Sequence, residues 1–166
     1  MKLTSSSFKE GDVIPEKHTG VGDDVSPQLL WSDAPEGTKS FTLICDDPDA
    51  PSRDFPREEG PWVHWVIYNI PVDVTELAEA VPHGADLETP AGTHQGTNDF
   101  PDNNVGYRGP MPPPGTGPHR YFFKIYALDA ELELEAANAT KASVLEAMEG
   151  HIVDEGQLMA TFEVKS

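Results

Sequence analysis

The sequence predicts a mostly β fold, organised as a single domain over residues 1–166. The chain contains 16 prolines and 14 glycines while 37% of its residues are apolar, a composition typical of many strands joined by rigid turns. Its length is sufficient to bury a hydrophobic core without disulfides or metals. Apolar segments of strand length, bordered by proline or glycine, recur along the chain. Together these observations favour a β domain over a helical bundle.

The first forty residues predict short strands separated by turns. Residues 3–8 alternate in polarity and predict an edge strand. A second short strand is expected near 29–32, and the Pro-Glu-Gly sequence at 35–37 predicts the turn that follows it.

Two longer strands are expected on either side of a proline-rich excursion. In the segment 41–47 alternate residues are apolar, and Asp47 shares their face. Four prolines within 48–61 prevent regular ladder pairing and predict a stiff excursion. The chain returns as 62–70, a central strand apolar on both faces and interrupted by His64. Strict alternation places five side chains on one face: Trp62, His64, Val66, Tyr68 and Ile70.

The middle of the chain predicts less regular structure. Residues 71–82 form a polar connection in which one helical turn is expected near 75–80. Residues 83–104 are rich in Gly, Asp, Asn and Thr and predict a long ordered loop. Loops of this length are unusual in compact domains and often functional.

The last third predicts a strand, a helix and a closing strand. Residues 121–128 are rich in β-formers, and Tyr121 shares its parity with His119. A helix is expected over 139–148, capped by Thr140 and ended by Gly150. Residues 157–164 predict the terminal strand.

The charge of the chain limits its partners. There are 29 acidic against 11 basic residues, giving a net charge of -18, and the acids are spread along the sequence. Such a field repels nucleic-acid phosphates and anionic lipid surfaces, so we expect no nucleic-acid partner and no stable membrane association. A saline cytoplasm would account for this charge, because salt screens the self-repulsion. An ordinary acidic protein is the alternative.

The termini and the cysteine content predict a cytoplasmic protein. Cys45 is the only cysteine, so no intramolecular disulfide can form, and its position in a core strand favours a buried thiol. Residues 1–12 lack the apolar run of a signal peptide, and no stretch approaches transmembrane length.

Two similar units contain the candidate functional residues. Within 45–70 and within 109–128, a Pro/Gly-rich loop is followed by a histidine and then by a strand. Taken alone, His64 or His119 is typical of a core histidine bonded to a neighbouring carbonyl. Their shared setting, with Asp47 at the end of a third strand, predicts a polar pocket with apolar walls.

The chemistry of such a pocket favours an anionic or zwitterionic ligand. Imidazoles can donate hydrogen bonds, and the Gly-Thr-Gly sequence at 115–117 can present backbone N–H groups to phosphate, sulfate or carboxylate. Asp47 would either orient a histidine or accept from an ammonium group, so phosphoethanolamine meets both requirements. Arg120 is expected on the opposite face, paired with an acid or with carbonyls. Asp49 and Arg53 are expected to fasten the proline turn.

Several motifs resemble those of the phosphatidylethanolamine-binding protein family. They are DPDAP at 47–51, Trp-x-His at 62–64 and GTGPHRY at 115–121. SPQLLWS, APEGTKSF and GTNDF are similar in particular to its bacterial and archaeal branch, described as Raf kinase inhibitor-like. The match covers nearly the whole chain in order.

The resemblance implies an antiparallel β-sandwich of two sheets with a few short helices and a pocket for phosphate-like groups. Carried over by motif position, the ligand-binding residues are Asp47, Pro51, His64, His119 and Tyr121, with Pro112 and Gly109 on a second wall. The chain ends at Ser166 soon after its last strand. We therefore expect it to lack the family's C-terminal helix and to have a more open pocket.

Three functions are compatible with these residues. The first is a non-enzymatic binding protein, monomeric or homodimeric and without cofactor or metal, for a headgroup, a phosphorylated metabolite or a phosphorylated side chain, with a regulatory role included. The second is an inhibitor of a protease or kinase that acts through the pocket rim or the 83–104 loop, since eukaryotic family members inhibit such enzymes. The third is a hydrolase or isomerase using His64, His119 and Asp47 as acid-base groups or metal ligands. No HExxH, GxSxG or GxxxxGK[ST] pattern supports the third.

Overall fold

A computed structural model, which describes residues 1–165, contains two antiparallel sheets. The predicted domain extends to Ser166, which lies outside the described residues. The smaller sheet has the order β1-β2-β5 and the larger one β6-β4-β3-β7-β8. The strands are β1 Lys2–Thr4, β2 Leu29–Ser32, β3 Ser40–Asp47, β4 Trp62–Pro71, β5 Glu76–Leu77, β6 His94–Gln95, β7 His119–Leu128 and β8 Ile152–Phe162. The helix α1 spans Lys141–Met148, and 3₁₀ turns span Glu16–His18 and Ala136–Asn138.

The larger sheet is covered on both faces, which explains why its central strands are apolar throughout. All eight residues of β3 are buried. One face packs against the smaller sheet, where Trp31 contacts Phe41 with ring centroids 5.5 Å apart. The other face packs Val66 against α1 through Val144 and Met148. Full burial of one such side chain stabilises the fold by roughly 1.5–3 kcal/mol.

Two β-bulges in β4 overturn the strict alternation expected from the sequence. Cys45 pairs with Trp65 while Asp46 pairs with Val63, which leaves His64 as the extra residue. A second shift lies between Phe41 and Leu43 of β3, opposite the part of β4 that contains Asn69. Each bulge inverts the side-chain parity beyond it. Two groups of β4 side chains therefore face opposite ways: Trp65, Ile67 and Ile70 towards the smaller sheet, and Val66 and Tyr68 towards α1.

Most predicted elements are confirmed, and the differences occur at the sheet edges. The helix has the expected cap, because Thr140 accepts from the Ser143 N–H in a capping box. The helical turn expected near 75–80 is wrong, since Glu76–Leu77 pairs with β2 as a strand. The first strand is shorter than predicted, and β8 begins earlier, at Ile152. The early part of β8 is largely exposed, as is typical of an edge strand, and it includes the exposed apolar residues Ile152 and Val153.

No helix in the part of the chain that the structure describes combines the length and the apolar character needed to cross a membrane.

The bulge at Asn69 predicts a measurable loss of stability on mutation. Asn69 has a φ of 54°, its side-chain amide donates to the Leu132 carbonyl at 2.9 Å, and its side-chain oxygen accepts from the Leu132 N–H at 2.7 Å. We expect Asn69→Ala to lower the free energy of unfolding by about 2–4 kcal/mol. The variant loses two hydrogen bonds, and alanine adopts the left-handed backbone conformation less readily than asparagine. Urea denaturation measures this change.

Asn103→Ala is the matched control, because Asn103 also has a positive φ, of 53°, but is exposed. It should cost only about 1–2 kcal/mol, the backbone contribution alone. Equal losses in the two variants would contradict a stabilising role for the Asn69 side chain.

Candidate functional site

A cavity of about 370 Å³ opens at one end of the larger sheet, where β3 ends and where β4 and β7 begin. The bulge at His64 turns its imidazole towards this cavity, with the ring centroid 5.2 Å from that of Tyr121. Six of the seven predicted site residues lie together in its lining: Asp47, Pro51, His64, Pro112, His119 and Tyr121.

Asp47 and His119 form a buried pair at the base of the cavity. The Nδ1 of His119 donates to Oδ2 of Asp47 at 2.7 Å, and the side chains are 0% and 4% exposed respectively. The other oxygen of Asp47 accepts the Asp49 N–H, also at 2.7 Å. Asp47 therefore orients a histidine, one of the two roles considered for it.

His119 has no ring nitrogen left for a ligand. Its Nε2 lies 2.9 Å from Oγ1 of Thr116, and that hydroxyl donates to the Pro113 carbonyl at 2.8 Å. The order carboxylate, imidazole, hydroxyl has the appearance of a hydrolase triad. However, Thr116 does not line the cavity, and its proton is engaged by a carbonyl. His119 thus acts on the cavity by holding Asp47 in place.

His64 differs from His119 because one of its nitrogens is open. Its Nδ1 donates to the Arg108 carbonyl at 2.6 Å, and its Nε2 makes no hydrogen bond to any residue within 1–165. Burial lowers the pKa of His64. The Arg108 carbonyl and the charge of Asp47 act to raise this pKa, but burial outweighs them. A neutral imidazole with its proton on Nδ1 presents an acceptor at Nε2.

The walls of the cavity are aromatic and apolar. The ring of Phe100 lies edge-on to His64 and to Trp62, with centroids 5.4 Å away in both cases. Met111 and Pro112 also line the cavity, and Met111 is 55% exposed. Burial, with the nearby charge of Asp47, raises the pKa of Tyr121, so its hydroxyl keeps its proton.

Sequence reasoning missed a cation in the lining. The guanidinium of Arg57 lies 4.8 Å above the Trp62 ring, and its Nη2 donates to Asp99 at 2.6 Å. Its Nη1 has no hydrogen-bond partner among the described residues. The only sequence signal for this residue is its place in the proline-rich loop of the 45–70 unit, ahead of His64.

Gly109 and the Gly-Thr-Gly loop do not reach the cavity, contrary to expectation. The Gly109 N–H donates to Asp24 at 2.7 Å, and an added Cβ would overlap the His18 carbonyl. Gly109 is therefore a close-packing position. In the loop at 115–117, the Gly115 N–H donates to the Val164 carbonyl at 2.9 Å and is not available to an anion.

Three buried acids in the sequence DDPD each have a separate basic partner. Asp46 pairs with Lys141 at 2.6 Å on the face of the sheet opposite His119. Asp49 accepts both the N–H and the guanidinium of Arg120 at 2.8–2.9 Å, which confirms that Arg120 pairs with an acid. The expectation that Asp49 and Arg53 fasten the turn is only half right, because Arg53 is exposed and forms no ion pair within the described residues.

Comparisons with known proteins agree with this architecture. A family model described as phosphatidylethanolamine-binding protein matches residues 4–163. A UPF0098 protein of Methanothermobacter thermautotrophicus is 48% identical over 162 residues, covering 98% of each chain. E. coli YbcL, whose structure is described as a new member of the mammalian PEBP family, superposes with a TM-score of 0.85 at 34% identity, covering 99% of this chain and 98% of YbcL. A structure from Chlamydia trachomatis has a TM-score of 0.81 at 42% identity, covering 98% of this chain and 96% of that one.

The Asp49–Arg120 pair predicts a pH-dependent contribution to stability. Burial alone would raise the pKa of Asp49, but hydrogen bonds from Arg120 outweigh burial and lower it. The pair therefore stabilises the fold above the unfolded-state pKa of about 3.9, and that contribution is lost as the pH falls through the folded-state pKa. Asp49→Asn should lower the free energy of unfolding by about 2–3 kcal/mol at pH 7 and by less at pH 3.

Urea titrations at the two pH values test this expectation. Asp73→Asn is the control, because Asp73 is exposed and makes no hydrogen bond through its side chain within the described residues. An Asp49→Asn effect that is equal at pH 7 and pH 3 would argue against an ionic contribution.

Proposed function

Because the chain belongs to the phosphatidylethanolamine-binding protein family, we propose that it is a non-enzymatic binding protein whose cavity holds a phosphate-bearing ligand. A phosphoethanolamine-like headgroup, a phosphorylated metabolite and a phosphorylated side chain share the chemistry required. The observation that carries this proposal is the open Nε2 of His64, which lines the same cavity as the Arg57 guanidinium. Polar atoms left open in an apolar-walled cavity are typical of a ligand site.

The guanidinium of Arg57 supports an anionic ligand. In a chain of net charge -18, an anion needs a local donor at the cavity. Arg57 is paired with Asp99 through Nη2, and its Nη1, without a hydrogen-bond partner among the described residues, can donate to an anion. Arg57 is fixed by the Gly60 carbonyl at 2.8 Å and by Asp99, so its planar fork is held in position before binding. Guanidinium groups suit phosphate oxygens because they donate in a rigid, matching geometry.

The cavity size supports a small ligand. A volume of about 370 Å³ lies near the lower end of the range for ligand pockets and suits a headgroup or a small metabolite. Trp62, Phe100 and Met111 can contact the apolar part of such a ligand while His64 and Arg57 bind its polar end. Apolar contact of this kind adds about 25 cal/mol for each Å² removed from water.

The alternatives have less support from the site. For a hydrolase, Asp47 and His119 already bind protein partners, and within residues 1–165 no group of three or more His, Cys, Asp or Glu side chains is arranged to hold a metal ion. For an inhibitor, an exposed apolar rim would be needed. Met111, Pro113 and Pro114 are exposed there and Pro112 is buried, so this alternative keeps some support.

We expect His64→Ala to weaken phosphoethanolamine binding by tenfold or more, because a hydrogen bond to a charged ligand contributes about 1.5–3 kcal/mol. His119→Ala should also weaken binding, since Asp47 loses the partner that positions it. Isothermal titration calorimetry measures both affinities, and circular dichroism checks that each variant is folded.

His94→Ala is the matched control, because His94 bonds to Asp86 at 2.6 Å and lies outside the cavity lining. Unchanged affinity in a folded His64→Ala variant would rule out the proposed site.

A further inference from the structure

Resting on the proposed function, we infer that Met111 is a site of reversible oxidation by hydrogen peroxide, and that its oxidation weakens binding of the apolar part of the ligand. Met111 shares the lining of the candidate cavity with His64 and Arg57. The product is methionine sulfoxide, which differs from methionine by one polar oxygen on the sulfur. The redox state of one side chain thus sets how tightly the cavity holds its ligand.

The sulfur atoms of the chain differ in their access to solvent. Cys45 and Met148 are buried and closed to a soluble oxidant. Met1 and Met159 are half-buried and lie outside the cavity lining. Among the described residues, Met111 is the most exposed of the cysteine and methionine side chains, at 55%, and alone among them lines the cavity. Accessibility therefore directs oxidation to the sulfur next to the ligand.

The local packing holds the Met111 side chain at the cavity wall. The side chain lies across Gly20, where an added Cβ would come within 3.1–3.3 Å of the Met111 Cβ, Cγ and Sδ atoms. The Gly20 N–H donates to the Pro110 carbonyl at 2.8 Å, which fastens this segment beside Met111. Prolines at 112–114 restrict the backbone on the other side. The thioether is therefore held within reach of solvent and of a bound ligand.

Hydrogen peroxide is the oxidant that suits this position. The molecule is uncharged, so the field of a chain with a net charge of -18 does not repel it. The sulfur lone pair attacks one peroxide oxygen: an S–O bond forms, the O–O bond breaks, and after proton transfer the second oxygen leaves as water. The sulfur gives up two electrons, and the peroxide takes them. Methionine sulfoxide reductases reverse the change.

Oxidation alters the wall of the cavity and leaves its charged groups as they are. A sulfoxide oxygen makes hydrogen bonds to water, and an apolar ligand segment that covers this oxygen breaks them without replacing them. The groups proposed to bind the phosphate, His64 and Arg57, are not changed by the reaction. A ligand should therefore lose affinity according to the size of its apolar part.

The experiment compares methyl phosphate with butyl phosphate by calorimetry, with the full chain before and after treatment with hydrogen peroxide. Before treatment we expect butyl phosphate to bind about tenfold more tightly, because three further methylene groups contact the cavity walls. After treatment this preference should fall to within about threefold, while the affinity for methyl phosphate changes by less than about twofold. Treatment with a methionine sulfoxide reductase should restore the preference.

Two results would overturn the inference and leave phosphate binding intact. One is an undiminished preference for butyl phosphate in protein that is fully oxidised at Met111. The other is equal affinity for the two esters before treatment, since the apolar contact would then be absent.

Peptide mapping by mass spectrometry identifies the oxidised residue. Met111 should gain one oxygen at least about fivefold faster than Met148. Butyl phosphate should slow the oxidation of Met111, because the bound chain covers its sulfur. Faster oxidation of Met159 than of Met111 would contradict the order that follows from exposure.

Two leucine variants test whether the change in binding comes from Met111. Met111→Leu has no sulfur at this position, so its preference after treatment should equal its own preference before treatment. Met159→Leu is the matched control, because Met159 lies outside the cavity lining, and this variant should lose its preference on oxidation as the wild-type protein does. A loss of preference in treated Met111→Leu protein would assign the effect to another residue. If neither ester binds to the untreated wild-type protein, the proposed function fails, whereas the rate of Met111 oxidation is measured independently of binding.

Discussion

The buried carboxylate of Asp47 is the constraint on which the rest of the site depends. It ends β3, holds the start of β7 through His119, and fixes the proline-rich excursion through the Asp49 N–H. An uncompensated charge at this depth would destabilise the fold by about 3–5 kcal/mol, so its partners cannot be removed without loss. Three segments far apart in sequence are thereby brought to one end of the larger sheet.

The β-bulge at His64 gives the two histidines different tasks. An unbulged strand would alternate through this position, whereas here His64 and Trp65 both turn towards the same face. His119 binds protein at both nitrogens, while His64 keeps Nε2 open to the cavity. His119 is thus held in place by protein, while His64 can bind a ligand through Nε2. The apolar walls of the cavity strengthen each polar contact with a ligand by excluding water.

Much of the fold could be predicted because strand length, proline position and capping residues act locally. β2, β4, β7 and α1 follow from such signals. The faces of β4 could not be predicted, because its bulges depend on how β4 pairs with β3. The order of apolar and polar residues along β4 does not indicate where a bulge occurs. Gly109 illustrates the same limit: its need for close packing comes from the His18 carbonyl, ninety-one positions earlier in the chain. Arg57 was not predicted as a lining residue, because its position depends on contacts with Trp62 and Asp99 that form only in the folded chain.

The most direct test of this account is nitrogen-15 NMR of the histidine rings during a titration with methyl phosphate at pH 6. The account predicts that the free protein has its His64 proton on Nδ1, and that the ligand shifts the His64 Nε2 resonance while both His119 nitrogens remain unchanged. A response confined to His119, with His64 unaffected, would contradict it.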